Sequence, residues 1–165
     1  MIAPEFEKIL AVLAEAKVKF ILIGGVAGNL HGSARITYDL DVVYARSRDN
    51  IQRLTEALRP HTPYLRGAPA GLPFTFDERT VRNGLNFTLT TTLGDFDLLG
   101  EVAGGGTYEL LLPFSMLIRV AGLEFLCVTL ERLIQLKRAA GRPKDFEAIA
   151  ELQAILEERK STGLS

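Results

Sequence analysis

The sequence predicts an α/β (α+β) chain: a small mixed β-sheet flanked by helices, then a helical C-terminal part. Three observations carry that reading. Apolar residues recur with a helical period near the start, at Phe6, Ile9, Leu10, Leu13 and Ala14, and again from Leu130 onward. Short β-rich runs such as Lys19–Ile23 and Leu123–Val128 lie between them. Apolar residues make up 47% and charged residues 24% of the chain, a balance that suits a packed globular fold and excludes intrinsic disorder.

The elements follow in order. Pro4 to Lys17 is a helix. Lys19–Ile23 is a short buried strand that stops at Gly24-Gly25, and a short helix follows to about His31. Arg35–Tyr44 alternates and reads as a second strand. Asp49–Leu58 is a helix ended by Pro60, and the prolines and glycines from His61 to Pro73 read as a loop. Asp77–Asn83 is a helical turn. Asn86–Thr92 and Asp95–Leu99 are strands joined by a turn at Leu93-Gly94. Gly104-Gly105-Gly106 is a flexible connection. Met116–Val120 and Leu123–Val128 form a hairpin about Ala121-Gly122. Thr129 caps a helix that runs to about Ala140 and ends at Gly141. Pro143 opens the last helix, which reaches about Glu158, and Ser161–Ser165 are frayed.

The 165 residues suit one domain, 1–165, with a core over 18–128 and C-terminal helices over 129–158, since domains run to ~100–200 residues. Lys and Arg total 19 against 20 Asp and Glu, so the net charge of -1 gives no global pull toward nucleic acid or an acidic membrane. Any anion site must be local. A single cysteine, Cys127, excludes an internal disulfide and a multi-cysteine metal knot. The N-terminal residues lack a basic-then-apolar leader, and Pro113, Arg119 and Glu124 interrupt the richest apolar stretch. A cytoplasmic chain with no membrane partner is expected.

The chemistry concentrates in Phe20–Tyr44. Alternation puts Arg35, Thr37, Asp39 and Asp41 on one strand face, with Ile36, Tyr38, Leu40, Val42 and Tyr44 turned to the core. Carboxylates at i and i+2 stand ~6–7 Å apart along a strand. Asp39 and Asp41 can therefore converge on a hard divalent cation, although a lone pair of this kind is more often a solvated face. Gly24-Gly25 is either a tight turn or a backbone that approaches a phosphate. It is neither a dinucleotide fingerprint nor a P-loop, because the further glycines and the Gly-Lys-Ser/Thr are missing. Asp95 and Asp97 share a second acidic strand face. Two such faces in one sheet repel unless a cation lies between them.

Strand, Gly24-Gly25, short helix, Asp39-Leu40-Asp41 and the later Asp97 together resemble the nucleotidyltransferase fold of the DNA polymerase beta superfamily. More narrowly, Arg35–Val43 and Leu133–Asp145 resemble minimal bacterial nucleotidyltransferases of the abortive-infection, AbiEii-type toxin class. The likeness spans roughly residues 18–150. It implies transfer of a nucleoside monophosphate from an NTP to a hydroxyl of RNA, protein or a small molecule, dependent on Mg2+ or Mn2+. A toxin–antitoxin setting with a cognate partner protein is also implied. Carried over, Asp39, Asp41 and Asp97 hold the metal and do the catalysis, with Asp95 the second choice for the third carboxylate. Gly24 and Gly25 lie against the triphosphate, and Arg35 and Thr37 join that phosphate-side set. The chain departs from many members in having Gly-Gly where they have Gly-Ser, which leaves phosphate contacts to backbone N–H groups.

The C-terminal helices add to this. Projected at a helical period, Lys137 falls within the apolar arc of Leu130, Leu133, Ile134, Leu136 and Ala140. Asp145 falls within the arc of Phe146, Ile149, Leu152 and Leu156. Two inward charges must be matched. Either they pair and tie the helices, or Lys137 reaches the triphosphate with Asp145 orienting it. Arg142 and Lys144 either contact phosphate or are solvated. Two rival readings use the same residues: a non-catalytic binding or antitoxin module on this fold, and a metal-dependent phosphohydrolase or nuclease.

Overall fold

The structure, a computed structural model, describes residues 2–163. Pro4 opens helix α1 (Pro4–Glu15), where a missing N–H leaves no bond unmade, and Phe6, Ile9, Leu10 and Leu13 form its buried stripe. Strand β1 (Phe20–Ile23) runs into α2 (Gly24–Leu30). Strand β2 (Asp41–Tyr44) precedes α3 (Arg48–Leu58), and the two-residue strand β3 (Tyr64–Leu65) and the short helix α4 (Glu78–Asn83) come next. The hairpin of β4 (Phe87–Thr91) and β5 (Gly94–Leu99) leads to α5 (Tyr108–Leu111). A second hairpin, β6 (Ser115–Val120) and β7 (Leu123–Val128), leads to α6 (Leu130–Ala140) and α7 (Asp145–Ser161).

Among the described residues the strands form one mixed sheet in the order β3-β4-β5-β2-β1-β7-β6. β1 and β2 are antiparallel at its centre, and each has a parallel outer neighbour, β7 and β5. Ile21, Leu22, Val42 and Val43 are all fully buried. The central strands are therefore covered on both faces, and β1 accordingly reads as an unbroken apolar run. Helix α1 packs with α3, and α2 packs with α6, which packs with α7.

Asn50, on α3, is fully buried and bonds only to backbone. Its Oδ1 accepts from Lys19 N–H at 2.6 Å, and its Nδ2 donates to the carbonyls of Lys19 at 3.0 Å and Ala45 at 2.8 Å. It ties the start of β1 to the end of β2. Thr129 caps α6 by accepting from Arg132 N–H, and Gly141 stops the helix with φ of 64°.

Several expectations are corrected. The second strand begins at Asp41, not Arg35, so residues 33–40 are an irregular segment. Ile36 and Tyr38, expected in the core, are 80% and 82% exposed, because no neighbouring strand pairs with that segment. The 61–73 loop contributes β3, which lengthens the sheet by pairing with β4. The triple glycine is a packed turn, closed by Val102 and Gly106 bonding to each other at 2.9 Å in both directions. Helix α5 had no periodicity long enough to show in the sequence. Helix α7 starts at Asp145, after a turn at Pro143, and Phe146 is exposed while Ala148 takes the inward place. Of the residues expected to fray, Ser161 closes α7, and Leu164 and Ser165 lie outside the described residues.

Candidate active site

Strand register places the acidic residues. Ile23 pairs with Asp41 across β1 and β2, and Asp41 pairs with Asp97 across β2 and β5. Gly24, next after Ile23, therefore lies beside Asp41. It has φ of 73°, and a Cβ there would collide with Asp41 Oδ2. A Cβ on Gly25 would strike Thr37 Oγ1. The left-handed φ of Gly24 disfavours any side chain there, and at Gly25 a Cβ would also meet Thr37 Cβ.

One cavity of about 260 Å³ opens at this end of the sheet. Gly24, Gly25, Asp41 and Asp97 line it from the strand ends. The segment before β2 contributes Arg35, Thr37 and Asp39, and the α6–α7 corner contributes Lys137, Arg142, Lys144 and Asp145. Every residue placed in the candidate site by the sequence except Asp95 thus borders the same space, although Asp39 precedes the strand and is exposed. Asp95 does not border it; its side chain is half exposed and lies against Arg66.

The carboxylates carry unfavourable charge. Burial, then the adjacent Asp97 carboxyl, then Asp39 push Asp41 up to about 7, and Arg142 opposes them weakly. Arg66, at the end of β3, lies against the outer pair, with Nε 3.5 Å from Asp95 Oδ2 and Nη2 3.2 Å from Asp97 Oδ1. Its Nη2 donates instead to Leu89 O at 3.0 Å, so Asp97 Oδ1 is buried without a hydrogen bond.

Opposite stands the basic side. Asp145 is 3% exposed and takes two bonds from Arg142, Nε to Oδ2 at 2.8 Å and Nη2 to Oδ1 at 3.3 Å. Lys137 Nζ is 3.9 Å from Asp145 Oδ1. Burial works against the Asp145 charge, but the Arg142 bonds with the Arg142 and Lys137 charges hold its carboxyl below the ordinary range. Burial lowers Lys137, with Asp145 opposing. The inward charges therefore do pair, with Arg142 rather than Lys137 as the main partner.

Among the described residues no group of three or more His, Cys, Asp or Glu side chains stands ready to hold a metal ion. The donor set nonetheless fits one. Asp41 and Asp97 are neighbouring hard-oxygen donors whose mutual repulsion a divalent cation would relieve, and Asp97 Oδ1 has an unused lone pair.

Two solved structures share this architecture. The candidate nucleotidyltransferase TM1012 of Thermotoga maritima aligns over 96% of this chain and 97% of its own, with a TM-score of 0.57 and 16% identity. The lincosamide antibiotic adenylyltransferase LnuA, solved with lincomycin bound, aligns over 94% of this chain and 98% of its own, with a TM-score of 0.61 and 15% identity. The chain has a nucleotidyltransferase fold. No protein-family model and no curated protein sequence matches it.

On this nucleotidyltransferase fold, sequence reading overlooked Arg66 and Glu151. Arg66 sits among prolines and glycines with no periodicity to mark its direction. Glu151 had a signal: it lies six residues after Asp145, on the side of α7 that also carries Ala148 and Leu152 into the cavity. His31 and Cys127 lie outside the cavity. His31 Nε2 donates to Val128 O at 2.7 Å, and burial pushes the Cys127 thiol up to about 12. No helix among the described residues is long and apolar enough to cross a membrane.

Proposed function

We propose that the chain is a metal-dependent nucleotidyltransferase. The observation that carries this is the single cavity where Gly24-Gly25, the register pair Asp41 and Asp97, and the Lys137–Arg142–Lys144 corner meet. In the reaction an acceptor hydroxyl oxygen attacks the α-phosphorus of an NTP. An oxygen–phosphorus bond forms, the α–β bridging bond breaks, and pyrophosphate leaves with the bridging electron pair. Gly24 and Gly25 bring backbone close to the triphosphate. Lys137, Arg142 and Lys144 balance its charge, with Arg35 and Thr37 on the same flank. Asp39, Asp41 and Asp97 are the residues that would hold Mg2+ or Mn2+, and Asp97 would receive the hydroxyl proton. The bound cation would neutralise charge building on the phosphoryl oxygens. Rate enhancement then comes mainly from positioning and charge neutralisation.

The acceptor belongs to one of three classes: a small molecule, RNA or protein. LnuA acts on a lincosamide, which makes a hydroxylated small molecule the first to test. A macromolecular acceptor would fit a cytoplasmic toxin–antitoxin role with a cognate partner protein. The test supplies each α-labelled NTP with Mg2+ or Mn2+ and the three acceptor pools in turn. Label transfer with equimolar pyrophosphate supports the reading. Release of inorganic phosphate would favour a phosphohydrolase.

Two observations favour a second reading. Arg66 already lies against Asp97, and no preformed metal group stands in the site among the described residues. A non-catalytic binding module would bind NTP yet transfer no label to any acceptor.

A further inference from the structure

Ile36 and Tyr38 are the most exposed large apolar side chains among the described residues, and both border a cavity otherwise rich in charge. The segment that carries them is held in place. Asn29 Nδ2 donates to the carbonyls of Ser33 at 3.2 Å and Arg35 at 2.8 Å. Glu151 accepts from the Ser33 hydroxyl and from Ala34 N–H, and Arg35 pairs with Glu147 at 3.3 Å. The two side chains are therefore displayed on a braced segment, each followed by a residue that contacts the site.

Their position within the cavity is specific. Thr37, between them, presses on Gly25, so the segment lies on the glycine flank. Asp97 lies on the other flank, across β2 on β5, with Arg66 beyond it. A triphosphate seated in this cavity would carry its nucleoside to the open rim, where Ile36 and Tyr38 are the exposed apolar side chains. We propose that Tyr38, with Ile36 beside it, is the stacking platform for the nucleobase of the NTP. This rests on the nucleotidyltransferase reading and adds a substrate preference to it. A phenol ring and an aliphatic chain read a π-face and its area, not a hydrogen-bond pattern. The platform therefore favours purine over pyrimidine triphosphates and separates ATP from GTP weakly.

The test is calorimetric binding of ATP, GTP, CTP and inorganic tripolyphosphate, each with Mg2+, to the full chain and to Tyr38→Ala and Tyr38→Phe. Tyr38→Ala is expected to weaken ATP and GTP about 5- to 100-fold, the range of single base-stacking losses, and to leave tripolyphosphate unchanged. Tyr38→Phe should keep wild-type ATP affinity. Wild-type ATP affinity in Tyr38→Ala, or equal losses for ATP and tripolyphosphate, overturns the platform while the parent reading stands. A wild-type chain that binds neither ATP nor tripolyphosphate overturns both.

Discussion

Asp41 and Asp97 are register partners on the parallel strands β2 and β5, so two carboxylates face one cavity a strand's spacing apart. The sheet itself fixes that distance. Their repulsion is a standing cost that a bound cation would remove.

Asp41→Asn should therefore raise stability and abolish function together. Burial and its acidic neighbours push Asp41 up to about 7, so at pH 8 its charge opposes folding. The metal-free variant is expected to gain about 1–3 kcal/mol in urea denaturation at pH 8. If the proposed function holds, it should also lack the rise in Tm expected of the wild type with Mn2+, and lose at least about 100-fold in nucleotidyl transfer. A variant that melts below wild type would show that the Asp41 charge is already compensated.

Arg66 would compete with a bound cation for Asp97 Oδ1. Its Nη2 is 3.2 Å from Asp97 Oδ1, and the pair is only partly exposed. An ion pair of this kind is worth about 1 kcal/mol. Arg66→Ala should then tighten Mn2+ binding about 5-fold, as read by electron paramagnetic resonance titration. Weaker Mn2+ binding would mean that Arg66 serves to position Asp97 for the ion.

Asp145 is the keystone of the α6–α7 corner. Asp145→Asn keeps the shape and removes the charge that Arg142 and Lys137 share. Because the Arg142 side chain is 55% exposed and partly solvated, the loss is expected near about 1–3 kcal/mol rather than at the upper range for buried pairs. Urea unfolding with an unchanged m-value measures it, and a loss under a few tenths of a kcal/mol contradicts the assignment.

His31 makes the fold sensitive to acid. Burial lowers its pKa against the help of the Val128 carbonyl, and Arg159 adds to the lowering. The geometry describes a neutral ring: Nε2 donates to Val128 O, and Arg159 Nη1 is 3.4 Å from Nδ1. A folded-state pKa below the unfolded one means that stability is full above ~6.5 and is lost as pH falls below that value. His31→Gln should flatten the stability profile below pH ~6.5, whereas an unchanged slope would assign the acid sensitivity to the carboxylates.

The sequence showed most where local signals and tertiary demands agree. β1, Gly24-Gly25, the capped α6 and the β6–β7 hairpin carry their own chemistry, and they formed as read. The alternation over residues 35–44 misled, because alternation alone does not supply a partner strand. Only Asp41–Tyr44 has partners on both sides, β1 and β5, and the first six residues of the run became an irregular segment. Ile36 and Tyr38 thereby moved from the expected core to the cavity rim. The approach of Lys137 to Asp145 was legible because an inward charge on an apolar arc must find a partner, but Arg142, the main partner, was not, because it lies in the turn outside both arcs. Arg66 was not, because a two-residue strand among prolines leaves no period to read, and its approach to Asp97 depends on strand pairing across the whole edge of the sheet.

Asn50 closes the sheet at the end remote from the chemistry. By bracketing Lys19 and Ala45 it locks the bases of the two strands whose tips carry Gly24 and Asp41. Stability and reactivity are thereby housed at opposite poles of the same pair of strands. A substitution at exposed Ile36 or Tyr38 can consequently alter what the cavity admits without touching the bonds that hold the two strands together.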